Sequence, residues 1–201
     1  MLLSTAYFPP VEFFALLAGN SVVYLEACEN YCKQSWRNRC RILTSNGPMD
    51  LRVPVVHGAD LYHTRIDQVL VDYSTPWVGQ TEYAIESAYS SSPFFLYYRD
   101  ELFSILDSHP STLWELNMRL ISFFCRKIGI APEIRPTVRW SAGGGEDDYR
   151  QSLHPKRPPV LPSRPYWQVF RDKFGFVEGL SIMDLLFCEG PESICYLQVG
   201  K

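Results

Sequence analysis

No run of about 18 apolar residues occurs in this chain, so no segment reads as a helix that crosses a bilayer. Positive charge is in short supply. Nineteen Lys and Arg face 22 Asp and Glu, a formal net charge of -3, which excludes a binder of nucleic acid or anionic membrane by overall charge. The glycine motifs that cradle phosphates, G-x-G-x-x-G and the Walker A loop, are missing, as are G-x-S-x-G and H-E-x-x-H. Cys28 and Cys32 are followed by Cys40, but no second Cys or His pair completes a zinc pattern, and neither a metal nor a cofactor is expected. A Cys–His nucleophile has the residue types it needs but no local sequence that identifies the partners. The apolar start, MLLSTAYFPPVEFFALLAG, carries no Lys or Arg and is interrupted by Pro9, Pro10 and Glu12, unlike a secretory signal. The expectation is a cytoplasmic protein with reduced thiols.

The 201 residues suffice for one sizeable core, and 46% are hydrophobic. The organisation expected is α+β: an N-terminal antiparallel sheet, a helical middle, and a C-terminal helix packed on the sheet. VEFFALLA (11–18) reads as a helix ended by Gly19-Asn20. SVVYLEA (21–27), WRNRCRIL (36–43), LRVPVV (51–56) and RIDQVLVD (65–72) read as strands, with a turn at Asn46-Gly47 and a strand end or sheet edge at Pro54. Residues 80–90, 95–107 and 112–128 have helical spacing. In the last, Leu113, Leu116, Leu120, Ile121, Phe124 and Ile128 form one stripe, begun by a Thr112–Glu115 capping box and stopped by Gly129. IRPTVRW (134–140) reads as a further strand. Ser181 and Asp184 open a helix to about Phe187. Between them lies a stretch, 141–165, with three adjacent glycines and five prolines. Apolar density returns directly after it, so it is expected as a long loop internal to a single domain, 1–201, and a loop of that length is usually functional or disordered.

Two groups of residues could carry chemistry. In WRNRCRIL, Arg37, Arg39 and Arg41 alternate, and on a strand they share a face. That row is either a solvated outer face or a site for phosphate or carboxylate, which the guanidinium fork suits; Glu26 and Glu29 are candidate neutralising carboxylates. In the long loop, Asp147, Asp148 and Arg150 precede His154, Lys156 and Arg157. A histidine between carboxylates and cations can act as base or acid near neutral pH. Asn117, near the apolar stripe of 112–128, and Gln168, within YWQ, are polar residues that make either a structural hydrogen bond or a ligand contact.

Four stretches, in order, cover nearly the whole chain: YFPPVEFFALL; KQSWRNRCRI with Gly47, Leu51, Val53, Pro54 and Val55 after it; SLHPK with PYWQVF; and LSIMDLLFCEGPES. Together they resemble the WbqC-like family of bacterial proteins. Some members are encoded among O-antigen biosynthesis genes, and the resemblance implies an aminoacyl (glycine) or acyl transferase that forms an amide on an amino sugar of a surface polysaccharide. On that reading Lys33, Arg37, Asn38 and Arg39 hold phosphate or carboxylate of a small-molecule substrate, with Lys156 and Gln168 as further contacts. His154 deprotonates the attacking amine, with Asp148 or Lys156 setting its pKa. Lys33, Asn38 and Arg39 match the family's Lys-x(4)-Asn-Arg block. The chain departs where many relatives carry His-Gln-Pro before the Tyr-x-Pro match: here Leu3-Ser4-Thr5-Ala6 precede Tyr7. Either His154 takes the place of that histidine or the activity differs. The alternative is a non-catalytic binding or interaction module, with aromatic segments such as FFLYY and PYWQVF as contact surfaces.

Overall fold

Burial of the N-terminal apolar segment organises the sheet. The structure, a computed structural model, describes residues 1–58 and 60–198. Strand β1 (Leu2–Ser4) leads into helix α1 (Val11–Ala18), whose residues Val11 to Leu17 are all buried, and the chain returns as β2 (Val22–Glu26). A helix apolar on every side must be enclosed by protein. β1 and β2 lie parallel with Leu3 opposite Leu25, as a helical crossover allows. A later strand, β5 (Glu133–Pro136), also pairs in parallel with β2, giving the order β1-β2-β5.

The expected N-terminal antiparallel sheet is therefore corrected: its central strand, within SVVYLEA, belongs to a parallel sheet. The antiparallel element is a separate hairpin of β3 (Arg39–Thr44) and β4 (Gly47–Arg52), closed at Ser45-Asn46 with Gly47 at φ 104°. Further strand expectations change. Within LRVPVV the strand stops at Arg52, and within IRPTVRW it stops at Pro136. Trp36–Asn38 forms a 3-10 turn ahead of β3, and Ile66–Gln68 forms another, leaving Leu70 and Val71 only isolated bridges. In both places buried apolar side chains, Trp36 and Ile66, hold the turn against the core.

The helical middle is as expected: α2 (Trp77–Tyr89), α3 (Phe95–Asp107) and α4 (Leu113–Ile128). Thr112 Oγ1 accepts from Glu115 N at 3.1 Å, while Glu115 reaches back to Ser111 N at 3.2 Å rather than to Thr112 N. Gly129 takes the left-handed conformation at the end. All six stripe residues of α4 are buried. After the short α5 (Arg171–Phe174), α6 (Ile182–Glu189) packs against α1, α3 and β3, and α7 (Ser193–Leu197) closes the described chain. Residues from Leu3 to Leu197 share one hydrophobic core. Among the described residues no helix is long and apolar enough to cross a membrane.

The long loop 141–165 is tied down along its length. Leu2 N donates to Asp147 O and Tyr149 N to Leu2 O, which covers the free edge of β1. Tyr149, Leu153, Val160 and Leu161 pack on the core. Val160 N donates to Glu12 of α1 at 2.6 Å. Just past the loop, Tyr166 Oη and Gln168 Nε2 donate to Asp184 Oδ2 of α6, at 2.8 and 3.0 Å. Among the described residues Asp184 has no cation against it, the Tyr89 hydroxyl lies near without closing a hydrogen bond, and burial pushes its carboxyl up to about 6.

The raised value sets a sign. The proton on Asp184 is held more tightly in the folded than in the unfolded chain, so its contribution is complete below about pH 4 and lost as pH rises through about 6. Asp184→Asn preserves shape and should lack that loss. Urea midpoints from pH 4 to 7.5 should show the variant gaining on the wild type by up to about 3 kcal/mol, all of it across this window. Parallel curves would contradict the assignment.

Candidate functional site

The carboxyl ends of the three parallel strands meet at one edge. Ser4 ends β1, Glu26 ends β2, and Thr137 follows β5. In sheets of parallel strands, ligands bind outside this edge, where the connecting loops diverge. A cleft of about 500 Å³ opens there, lined by Cys28, Glu29, Asn30 and Cys32 from the segment after β2, Arg37 from the next turn, and Trp140 and Gln151 from the two ends of the β5–loop connection.

Two buried ion pairs stand at these strand ends, and one of them, Glu29–Arg37, lines the cleft. Glu29 receives Arg37 Nε at 2.8 Å and Nη2 at 2.5 Å, and Ser4 Oγ joins both partners. The side chains are 6% and 9% exposed. Glu26, with no exposure, receives Arg150 Nη1 at 2.8 Å, Thr137 Oγ1 at 2.6 Å and Cys28 N at 2.9 Å. Arg150 also closes a fork on Asp148 at 2.9 and 2.7 Å, and this holds the Asp148 carboxyl below the usual carboxylate range. Gly143, at φ 74°, sits so close to this fork that a side chain there would collide with it.

The expected arginine row divides. Arg37 leaves the strand in the Trp36–Asn38 turn and pairs with Glu29. Its backbone carbonyl accepts from Asn117 Nδ2 at 2.9 Å, so Asn117 makes a structural hydrogen bond. Arg39 and Arg41 do share a face of β3, where Asp50, opposite Arg41 on β4, lies 3.6 Å from Arg39 and 2.9 Å from Arg41. Arg41 also stands over the Trp36 ring. Arg39 keeps a buried Nε without a partner, and burial, then the nearby Arg52, draws its pKa down. Asn38 donates to Val53 O at 3.0 Å and its buried Oδ1 is unpaired. Lys33 is exposed, over the ring of Tyr62.

His154 comes within electrostatic reach of Arg157, Arg37, Lys156 and Arg39. Burial first, and then these cations, push its pKa below the ordinary imidazole value. Asp148 is not among the groups that act on it. Lys156 Nζ donates to Gln34, and Lys156 N donates to His154 Nδ1 at 3.2 Å. A neutral ring so bonded carries its proton on Nε2 and presents a donor there. Gln168 lies elsewhere: it has no exposure, and its amide is used by Val177, both N and O, and by Asp184. The structure thus gathers Arg37, Arg39, His154 and Lys156, leaves Asp148 in a structural pair, and places Gln168 in the Asp184 cluster. Trp140, Asn30 and Gln151 were not singled out from the sequence. They have no motif, and only the strand ends bring them together.

Among the described residues no group of three or more His, Cys, Asp or Glu is placed to hold a metal ion. Two outcomes are expected. Glu29→Ala leaves Arg37 buried and unpaired and should cost about 3–5 kcal/mol in chemical denaturation. The His154 imidazole, followed by NMR, should titrate below the free-histidine value of about 6.5 and shift upward when inorganic phosphate is added.

A family model described as the WbqC-like protein family matches residues 5–154. Over 220 aligned residues the chain is 28% identical to the uncharacterized protein Rv1507c of Mycobacterium tuberculosis, with 96% of this chain and 94% of that one covered. No solved structure matches the chain. The family match begins just after β1, takes in both buried ion pairs, the cleft and His154, and stops short of the PYWQVF and LSIMDLLFCEGPES stretches. By that match across most of its length, the chain belongs to the WbqC-like protein family.

Proposed function

We propose that this protein transfers an aminoacyl (glycyl) or acyl group to the amine of a phosphorylated amino sugar, in cytoplasmic biosynthesis of a surface polysaccharide such as O-antigen. The observation that carries the reading is a cleft at the carboxyl ends of parallel strands with Arg37 in its lining, and a histidine, His154, within electrostatic reach of Arg37, Arg39, Lys156 and Arg157. The cations supply charge-assisted hydrogen bonds to phosphate or carboxylate. The local excess of positive charge suits a small anion, since the chain as a whole is acidic.

The amine nitrogen attacks the carbonyl carbon of an activated donor. A C–N bond forms, the bond to the leaving group breaks with its electron pair, and the ammonium proton passes to a base and on to the leaving group. His154 is the base within reach of the cationic wall, and its depressed pKa keeps it unprotonated at neutral pH. To accept the proton at Nδ1, its ring gives up the 3.2 Å contact with Lys156 N. An anion bound between Arg39 and Lys156 would raise the imidazole pKa and ready it for that step.

A second reading, a binding module without turnover, is favoured by Ser4 and Asp148. Ser4 lies in the stretch where many relatives carry His-Gln-Pro, and here it bonds to Glu29 and Arg37. Asp148 is closed on Arg150.

Thermal unfolding against a panel of nucleotide-linked amino sugars, amino acids and acyl donors separates the two. A ligand at 100 times its dissociation constant stabilises by about 2.7 kcal/mol. Arg39→Ala should lose at least about tenfold in affinity for the anionic ligand; unchanged binding would sink the anion site. His154→Ala should keep binding and lose about 10²- to 10⁴-fold in turnover. Binding with no transfer in any donor–acceptor pair favours the module.

A further inference from the structure

We infer that the cleft seats a pyranose ring stacked on Trp140, with the Asn30 and Gln151 side chains meeting its hydroxyls and the neighbouring cations holding a phosphate on its anomeric carbon. The inference deepens the transferase reading and shares its site. The seat itself requires only that a sugar phosphate binds.

Trp140 is 58% exposed and lines the cleft. An indole left in water gains nothing for the fold, yet this one is carried on an anchored segment. Three residues before it, Thr137 Oγ1 accepts from Ala27 N at 3.0 Å and donates to Glu26. One residue after it, Ser141 O accepts from Arg150 Nη1 at 3.1 Å. The same Arg150 immediately precedes Gln151. One buried guanidinium therefore sets the two walls relative to each other, and Glu26 fixes that guanidinium from below.

The lining has the chemistry of a saccharide site. A pyranose has one face of C–H groups that packs on an aromatic ring, and a rim of hydroxyls that both donate and accept. Side-chain amides, which also do both, stand at Asn30 and Gln151. A nucleobase fits less well. Trp140 is the one aromatic ring among the described lining residues, so a base would stack on a single face with polar groups on every other wall. The cleft, about 500 Å³, lies within the range of small-molecule sites. Arg37, the cation of the lining, marks the phosphate end, and it acts on His154 together with Arg39, Lys156 and Arg157.

The test uses glucosamine 1-phosphate, inorganic phosphate and uridine monophosphate as probes, with affinities from calorimetry on the full chain. Because Trp140 is exposed, Trp140→Ala should fold and keep the wild-type melting midpoint. It should bind glucosamine 1-phosphate at least tenfold more weakly and inorganic phosphate within twofold of the wild type, with Trp140→Phe in between. The seat is overturned if wild type binds glucosamine 1-phosphate no more tightly than phosphate, if Trp140→Ala leaves the sugar phosphate unaffected, or if uridine monophosphate depends on Trp140 as strongly. Failure of the transferase reading looks different: sugar-phosphate binding that needs Trp140, with no amide formed from any donor.

Discussion

Two buried carboxylate–guanidinium pairs, Glu29–Arg37 and Glu26–Arg150, underlie the rest of the site. Both carboxylates stand at the end of β2 or just past it, with almost no exposure. A lone charge at that depth is strongly unfavourable, whereas a fully bonded pair roughly breaks even against an apolar substitute. Their contribution is therefore less to net stability than to position. Glu29 draws in the turn that precedes β3, and Glu26 draws in a loop 124 residues away in sequence. With both engaged, the strand ends, the Trp36–Asn38 turn and the loop can meet in one arrangement, and the cleft is the space left among them.

The pairing also redistributes charge. Arg37 is neutralised within the fold, and Asp50 is shared between Arg39 and Arg41. Among the described residues Lys156 and Arg157 have no carboxylate against them, and together with the arginines they impose a positive field on His154. Burial, combined with that field, lowers the imidazole pKa.

Two other carboxylates hold the far end of the same loop. Glu12 on α1 accepts from Val160 N, and Asp184 on α6 accepts from Tyr166 and Gln168. Burial raises the pKa of both. A segment of glycine, proline and charge has few side chains of its own to bury, and it is held instead by polar anchors sunk into apolar helices. This is how a composition suggestive of disorder lies fixed along the core and delivers Arg150, Gln151 and His154 to one edge of the sheet.

Local patterns in the sequence sufficed where the determining interactions are local. The α1 and α4 spans, the Thr112 cap and the Gly129 stop follow from spacing, capping chemistry and glycine conformation, each within a few residues, while the hairpin turn, expected at Asn46-Gly47, falls one residue earlier. The WbqC-like likeness was legible too, because its stretches are contiguous. What the sequence could not determine was pairing at long range. β1 is three residues long, too short to show a period, so the parallel β1–α1–β2 unit read as a helix followed by a strand of an antiparallel sheet. Arg37 fits a strand alternation and yet turns away, because Glu29 and Asn117 offer it buried partners that alternation cannot reveal. Gln168 read as a candidate ligand contact until its amide was seen fully used by Val177 and Asp184. Which charges remain free, and which side chains share the cleft, depended on contacts between residues more than 100 positions apart, and only the tertiary structure decides those.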